Sequence, residues 1–150
     1  MDKKLPNAQL PNSKSARLST ERARIRRVVA RRELAGLAND TKWDKLIDAV
    51  RAHEGWRPSY RYKCVDGPPS GWDVEWFHHL PFPLISVEWL DIAYHGELRP
   101  RASARATLVD HSAWIEDALR RAGLDYRKGK AMFRVYGYSP RSDALFDDQT

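Results

Sequence analysis

Only one cysteine, Cys64, occurs in the 150 residues, so no disulfide can close within the chain. Small secreted domains commonly rely on paired cysteines, and their absence points to the cytoplasm. No apolar run approaches the roughly 20 residues that cross a bilayer, so no membrane association is expected. The opening Met1-Asp2-Lys3-Lys4-Leu5-Pro6 has no apolar segment behind it, and no secretory leader is expected. Metal motifs are missing too. His78 and His79 are adjacent, so in a strand they point to opposite faces, and His53, His95 and His111 stand alone. Without closely spaced Cys/His pairs neither a metal nor a cofactor is expected, and Cys64 reads as a buried structural thiol. There is no glycine-rich phosphate loop, no nucleophile elbow and no internal repeat. Asp73, Glu75, Glu88 and Asp91 could place two carboxylates on neighbouring strands, as general acid–base chemistry requires. Nothing around them suggests a substrate cradle, so no catalytic residue is assigned.

Acidic residues are scarce at one end. Residues 1–38 hold ten basic and three acidic side chains, a net of +7, and the remainder nets −1, which accounts for the overall +6. Residues 1–18, rich in Asn, Ser, Lys and Pro, read as a disordered tail. A helix capped by Ser19 or Thr20 is expected over 19–38, with Ile25, Val28 and Val29 on one face and arginines over much of the remainder. The charge division suggests a basic N-terminal arm over 1–38, a compact domain over 39–140 and a flexible tail over 141–150.

Six Trp, six Tyr and four Phe supply a core. Trp43, Leu46, Ile47 and Val50 fall at i, i+3, i+4, i+7, one stripe of an amphipathic helix, with Thr41 and Asp44 spaced like a capping box. A second body helix is expected after Asp110, with Trp114, Ile115, Ala118, Leu119 and Ala122 as its stripe and Gly123 as its stop. Strands are expected over 60–65, 72–79, 86–94 and 130–138, with a loop over 95–108. The order α-β-β-β-α-β favours an α+β fold. Its expected form is a single four-stranded, mostly antiparallel sheet with two helices on one face, plus the Arg-rich helical arm.

The strands over 72–79 and 86–94 are expected to pair through 81–85. Period-two alternation then leaves the face away from the helices with carboxylates and aromatics. Asp73, Glu75, Trp89 and Asp91 are the residues by which that face would hold a protein partner. Arg22, Arg24, Arg26, Arg27, Arg31 and Arg32 could instead neutralise phosphates, although the arm lacks aromatic residues for stacking on bases.

Several motifs recur together in this order: Thr41-Lys42-Trp43, Trp72-Asp73-Val74-Glu75-Trp76-Phe77, Val87-Glu88-Trp89-Leu90-Asp91-Ile92 and Phe133-Arg134-Val135-Tyr136-Gly137-Tyr138. Over residues 39–140 the chain resembles a family of small Trp-rich bacterial proteins known only as a domain of unknown function. The resemblance implies a bacterial origin and a compact α+β body, and it carries no functional residue. In style such domains are similar to immunity proteins. The leading expectation is therefore a cytoplasmic protein-binding module, immunity-like, that neutralises a toxin by occlusion. The alternative is a nucleic-acid-associated regulator acting through the basic helix.

Overall fold

The computed structural model describes residues 13–102 and 104–147. The expected disordered stretch lies outside the described residues up to position 12, as does the expected tail from 148 onward. In order, the elements are α1 (Ser13–Arg31), β1 (Ala35–Gly36), α2 (Asp40–Ala52), β2 (Tyr60–Cys64), β3 (Val87–Ala93), β4 (His95–Leu98), β5 (Thr107–Asp110), α3 (Ser112–Ala122), β6 (Asp125–Lys128), β7 (Met132–Tyr136) and β8 (Tyr138–Ser139). A short 3-10 turn, Leu84–Ser86, leads into β3. The chain is α+β, with three α-helices and three antiparallel sheets among the described residues. Four strands form the main sheet in the order β2-β3-β7-β6, and β1-β8 and β4-β5 are separate two-stranded ribbons.

Both body helices arise where the apolar spacing places them. α2 is capped by Asn39, whose side chain accepts from the Lys42 amide at 2.9 Å, so the cap sits two residues before Thr41. Its far end is closed by Arg57, which donates to the carbonyls of Val50 and Arg51. The Asp110 carboxylate accepts from the Ser112 amide at the start of α3. Gly123, at φ +71, supplies the left-handed stop. The stripes Trp43, Leu46, Ile47, Val50 and Ile115, Ala118, Leu119, Ala122 share one core with Tyr60, Leu90, Ile92, Phe133 and Val135 of the main sheet. Those sheet residues occupy cross-strand partner positions and so point the same way.

The segment 72–79 is not a strand. Asp73 forms only an isolated bridge with Tyr60. The Glu75 carboxylate then turns back on the chain and accepts from the amides of Phe77, His78 and His79. Short acidic side chains that bond their own backbone compete with sheet ladders, and here they win. The partner of β3 on that side is β2, and on the other side β7. The expected loop over 95–108 holds the β4-β5 ribbon instead. Gly96 permits this, because a side chain there would overlap the Trp56 ring. The strand β6 lay unread between Gly123 and the expected last strand.

α1 starts before and ends earlier than expected. It stops at Arg31, followed by Glu33 in the left-handed region, and 35–36 then pairs with 138–139. Ile25 and Val28 are buried with Val65, beside Ile85 and Tyr138. Contacts thus cross the expected division at residue 38. Gly137 is the meeting point: its amide donates to Glu88 and its carbonyl accepts from the amides of Leu37 and Ala38. No helix among the described residues is long and apolar enough to cross a membrane.

Two measurements probe this frame. A Cβ at Gly137 would overlap the Val87 carbonyl. Gly137→Ala should therefore lower the unfolding free energy by about 1–3 kcal/mol in a urea titration. The second concerns His111, whose Nδ1 accepts from the Trp114 indole at 3.1 Å while its ring stacks on Trp56 at 3.9 Å. Burial pushes its pKa down, and the nearby His53 adds to this against the opposing pull of Asp110. The unfolded chain therefore takes up the proton first. The stabilisation is full above the ordinary value of 6.5 and is lost as pH falls through it towards the lowered one. Melting temperature should fall over that window, and His111→Asn, which keeps an acceptor for the indole, should flatten the slope.

Candidate functional site

The main sheet has a second face, away from α2 and α3, and it is built around charge. One residue from each strand lies in register across it: Arg61, Asp91, Arg134 and Arg127. Asp91 and Arg134 are fully buried. Arg134 holds Asp91 with two parallel bonds, Nε to Oδ1 at 2.7 Å and Nη2 to Oδ2 at 2.8 Å. Arg61 Nε adds a third at 2.8 Å. Two guanidiniums thus share one carboxylate, and the group carries a net positive charge, with Asp91 and Arg134 buried and Arg61 partly exposed.

Aromatic rings alternate with these cations. The Arg134 guanidinium lies 3.8 Å from the centroid of Trp89. Arg61 lies between Trp89 at 6.0 Å and Trp72 at 4.7 Å. Phe146 sits near both Arg134 and Arg127, at 5.5 and 5.1 Å. The result is a continuous series, Trp72, Arg61, Trp89, Arg134, Phe146, Arg127, in which each cation meets a ring face.

Residues 141–147, expected to be flexible, cover this face. Arg134 Nη1 donates to the carbonyls of Ser142 and Ala144, and Arg61 donates to that of Leu145. Arg127 and Arg141 pair with Asp143 and Asp125, and Asp147 accepts from the Ala131 amide. Phe146 is buried. The face expected to lie open is therefore closed by the chain itself.

The four expected partner-binding residues separate into two pairs. Trp89 and Asp91 do lie on the face opposite the helices, as alternation predicts, but both are fully buried with 141–147 in place. Asp73 and Glu75 lie on the 72–80 segment, where their carboxylates serve the backbone. Asp73 accepts from the Glu75 amide and pairs with His79 Nδ1 at 2.8 Å. Those bonds, the Glu75 amide first, hold its pKa below the ordinary carboxylate range. For Glu75 partial burial opposes the shift, yet three backbone amides still hold its pKa low. Sequence reasoning missed what these carboxylates support. Trp72, Val74, Phe77 and Phe82 project into solvent at 46%, 69%, 46% and 55% exposure. The guanidiniums of Arg51 and Arg57 both lie 5.3 Å from the Phe77 ring. The density of aromatics in Trp-Asp-Val-Glu-Trp-Phe carried the signal; strand alternation obscured it.

The six arginines expected to contact phosphate, five on α1 and Arg32 just after it, also separate. Arg22 pairs with Asp40 at 3.0 Å, Arg24 with Glu21 and Asp66, and Arg32 with Glu88 and the Val65 carbonyl. Arg26, Arg27 and Arg31 are exposed. Among the described residues no group of three or more His, Cys, Asp or Glu is arranged to hold a metal. Burial raises the Cys64 pKa, a setting that keeps a thiol unreactive.

The chain matches the model of a family of unknown function, DUF6678, over residues 25–142, and it belongs to that family. The match begins at Ile25, the first buried residue of α1, and so takes in more of the arm than the motif resemblance did. No curated protein and no solved structure matches the chain.

The buried cluster sets a stability test. Asp91→Ala strands two guanidiniums and should cost about 3–5 kcal/mol of unfolding free energy. Trp89→Ala should cost a similar amount, about 3–5 kcal/mol, because it opens a cavity beneath Arg134. Denaturant titration of both variants checks this; near-wild-type midpoints would contradict the burial.

Proposed function

We propose that this DUF6678 chain is a protein-binding module and that the segment 72–82 is its docking surface. One observation carries the reading: four large apolar side chains are exposed within eleven residues on a backbone that is braced from below. Trp76 is buried and its indole donates to the Pro58 carbonyl at 2.7 Å. The Tyr60 hydroxyl donates to the Glu75 carbonyl at 2.6 Å, and Arg51 donates to the carbonyls of Trp76 and Phe77. A segment held this way loses little freedom on binding, so burial of its rings converts efficiently into affinity. Trp and Arg together are the residue types that dominate interface energetics. An immunity-like role is the sharper version, in which the apolar segment covers the working surface of a toxin. Its support is the rigid aromatic projection, and co-expression with the product of a neighbouring toxin gene would test it.

A second reading rests on arginines. Arg26, Arg27 and Arg31 on α1, with Arg99, Arg101 and Arg105 in the β4-β5 connection, are exposed and suit phosphate contact. A gel shift that is absent even at about 50 mM salt would remove it.

The docking reading makes a separable prediction. Val74→Ala with Phe77→Ala should leave the melting temperature close to wild type. A partner recovered from the native host with the wild-type chain should bind the double variant about 30-fold more weakly, the loss of a hot spot worth ~2 kcal/mol. Undiminished binding would exclude the segment as the docking surface.

A further inference from the structure

The covered face of the main sheet has the properties of a peptide-binding groove. Residues 141–147 lie on it as a ligand would. Three of their carbonyls, those of Ser142, Ala144 and Leu145, accept from Arg134 and Arg61. One aromatic side chain, Phe146, sits near two guanidiniums. Asp143 meets Arg127, and Asp147 meets the amide of Ala131. Recognition through carbonyls, one ring and two flanking carboxylates is the grammar of a short linear motif, acidic-x-x-aromatic-acidic.

Two observations indicate that the fit is incomplete. Among the described residues Arg61 and Arg134 share one carboxylate, that of Asp91, so the partly exposed cluster carries a net positive charge, and 141–147 meets Arg61 and Arg134 with backbone carbonyls. In addition, the Trp89 indole N–H and the Tyr136 hydroxyl are buried without a hydrogen-bond partner among the described residues. These two residues are direct cross-strand neighbours in the row beside Arg61, Asp91 and Arg134, on the same face. Buried donors without acceptors are uncommon and costly, and a ligand that brought an acceptor to either would remove that cost. The family match supplies an independent boundary. It ends at residue 142, so the groove residues Arg61, Asp91, Arg127 and Arg134 lie inside it while Asp143, Phe146 and Asp147 lie outside.

We infer that this groove binds, in trans, an extended acidic peptide segment of a partner protein with one aromatic residue, and that 141–147 occupies it in cis. This does not depend on the 72–82 segment being a docking surface, and the two fail separately. Opening the groove costs the contacts of the cis segment. The full-length chain therefore binds such a peptide only in the fraction of molecules where that segment has lifted.

The probe is a fluorescein-labelled, end-capped peptide of the chain's own sequence over 142–147, Ser-Asp-Ala-Leu-Phe-Asp, followed by anisotropy with full-length protein. Phe146→Ala, which weakens the cis segment, should bind it on the order of tenfold more tightly than wild type does. A peptide with its Phe replaced by Ala should not bind, and Arg127→Gln placed in the Phe146→Ala background should weaken binding several-fold. If Phe146→Ala does not fold, Asp143→Asn loosens the segment from an exposed position, and the same comparison applies. A folded, loosened variant that binds the peptide no better than a scrambled sequence overturns the inference. Concentration-dependent dimers that the free peptide dissolves would replace the partner with a second copy of this chain, and so overturn it as stated. The Val74→Ala, Phe77→Ala double variant, which touches none of the groove residues, should bind the peptide as the wild type does.

Discussion

The bidentate pair between Asp91 and Arg134 is the constraint around which the other parts are arranged. It joins the two central strands of the main sheet, β3 and β7, and both partners are out of reach of water. Removing two charges from water costs several kcal/mol per ion, recovered only when geometry is good and the remaining donors find acceptors. The structure meets that demand one donor at a time. Trp89 covers the Arg134 guanidinium with its ring, Arg61 uses the rest of the Asp91 carboxylate, and the carbonyls of Ser142 and Ala144 take Arg134 Nη1. Each of these partners must then be held in place. The stack on Trp72 positions Arg61, and Phe146 anchors the covering segment. A core of hydrocarbon would need none of this, and would also not specify which segment lies over the sheet.

The two faces of the sheet therefore hold different kinds of core. Beneath α2 and α3 the contacts are apolar and tolerant, and any side chain of suitable volume would serve. On the other face the contacts are directional. Arg134→Lys would keep the charge and lose the parallel bonds, the ring stack and the two carbonyls together. Directional cores give register and specificity more than they give stability, which fits a short covering segment whose backbone is bound by side chains rather than by a strand ladder.

Much of the apolar half was legible in the sequence. The two helical stripes, the β2, β3 and β7 segments and the stop at Gly123 follow from periodicity and from one glycine, because burial against a sheet imposes a period on the side chains. The assignment of Trp89 and Asp91 to the face away from the helices follows from alternation in the same way. Their burial does not. Nothing in Arg141-Ser142-Asp143-Ala144-Leu145-Phe146 has a period, and its docking depends on Arg61 and Arg134, which are remote in sequence and read simply as solvated charge. The segment 72–79 failed for a local reason. Its alternation of apolar and acidic residues matches a strand, yet Asp73 and Glu75 reach their own backbone amides, and that bond is available only when the chain turns.

The charge division along the chain has a similar explanation. The excess on α1 and the turn after it is met partly by the body: Asp40, Asp66 and Glu88 receive Arg22, Arg24 and Arg32. The exposed pairs to Asp40 and Asp66 contribute little on their own, and the burial of Ile25 and Val28, worth about 1.5–3 kcal/mol each, sets the docking energy. The arginines determine orientation rather than affinity, because a helix turned about its axis would bury guanidiniums without partners. Glu88 shows how far this reaches. Its nearly buried carboxylate receives Arg32 from the turn that ends α1 and Lys63 from β2, and its carbonyl accepts from the amide of Gly137. Helix, edge strand and the turn after β7 are thus fixed relative to one residue, three positions before Asp91 on the same strand. β3 carries both charge clusters, one tying the arm to the sheet and the other tying the covering segment to it. The apolar core alone would not have distinguished those two sides.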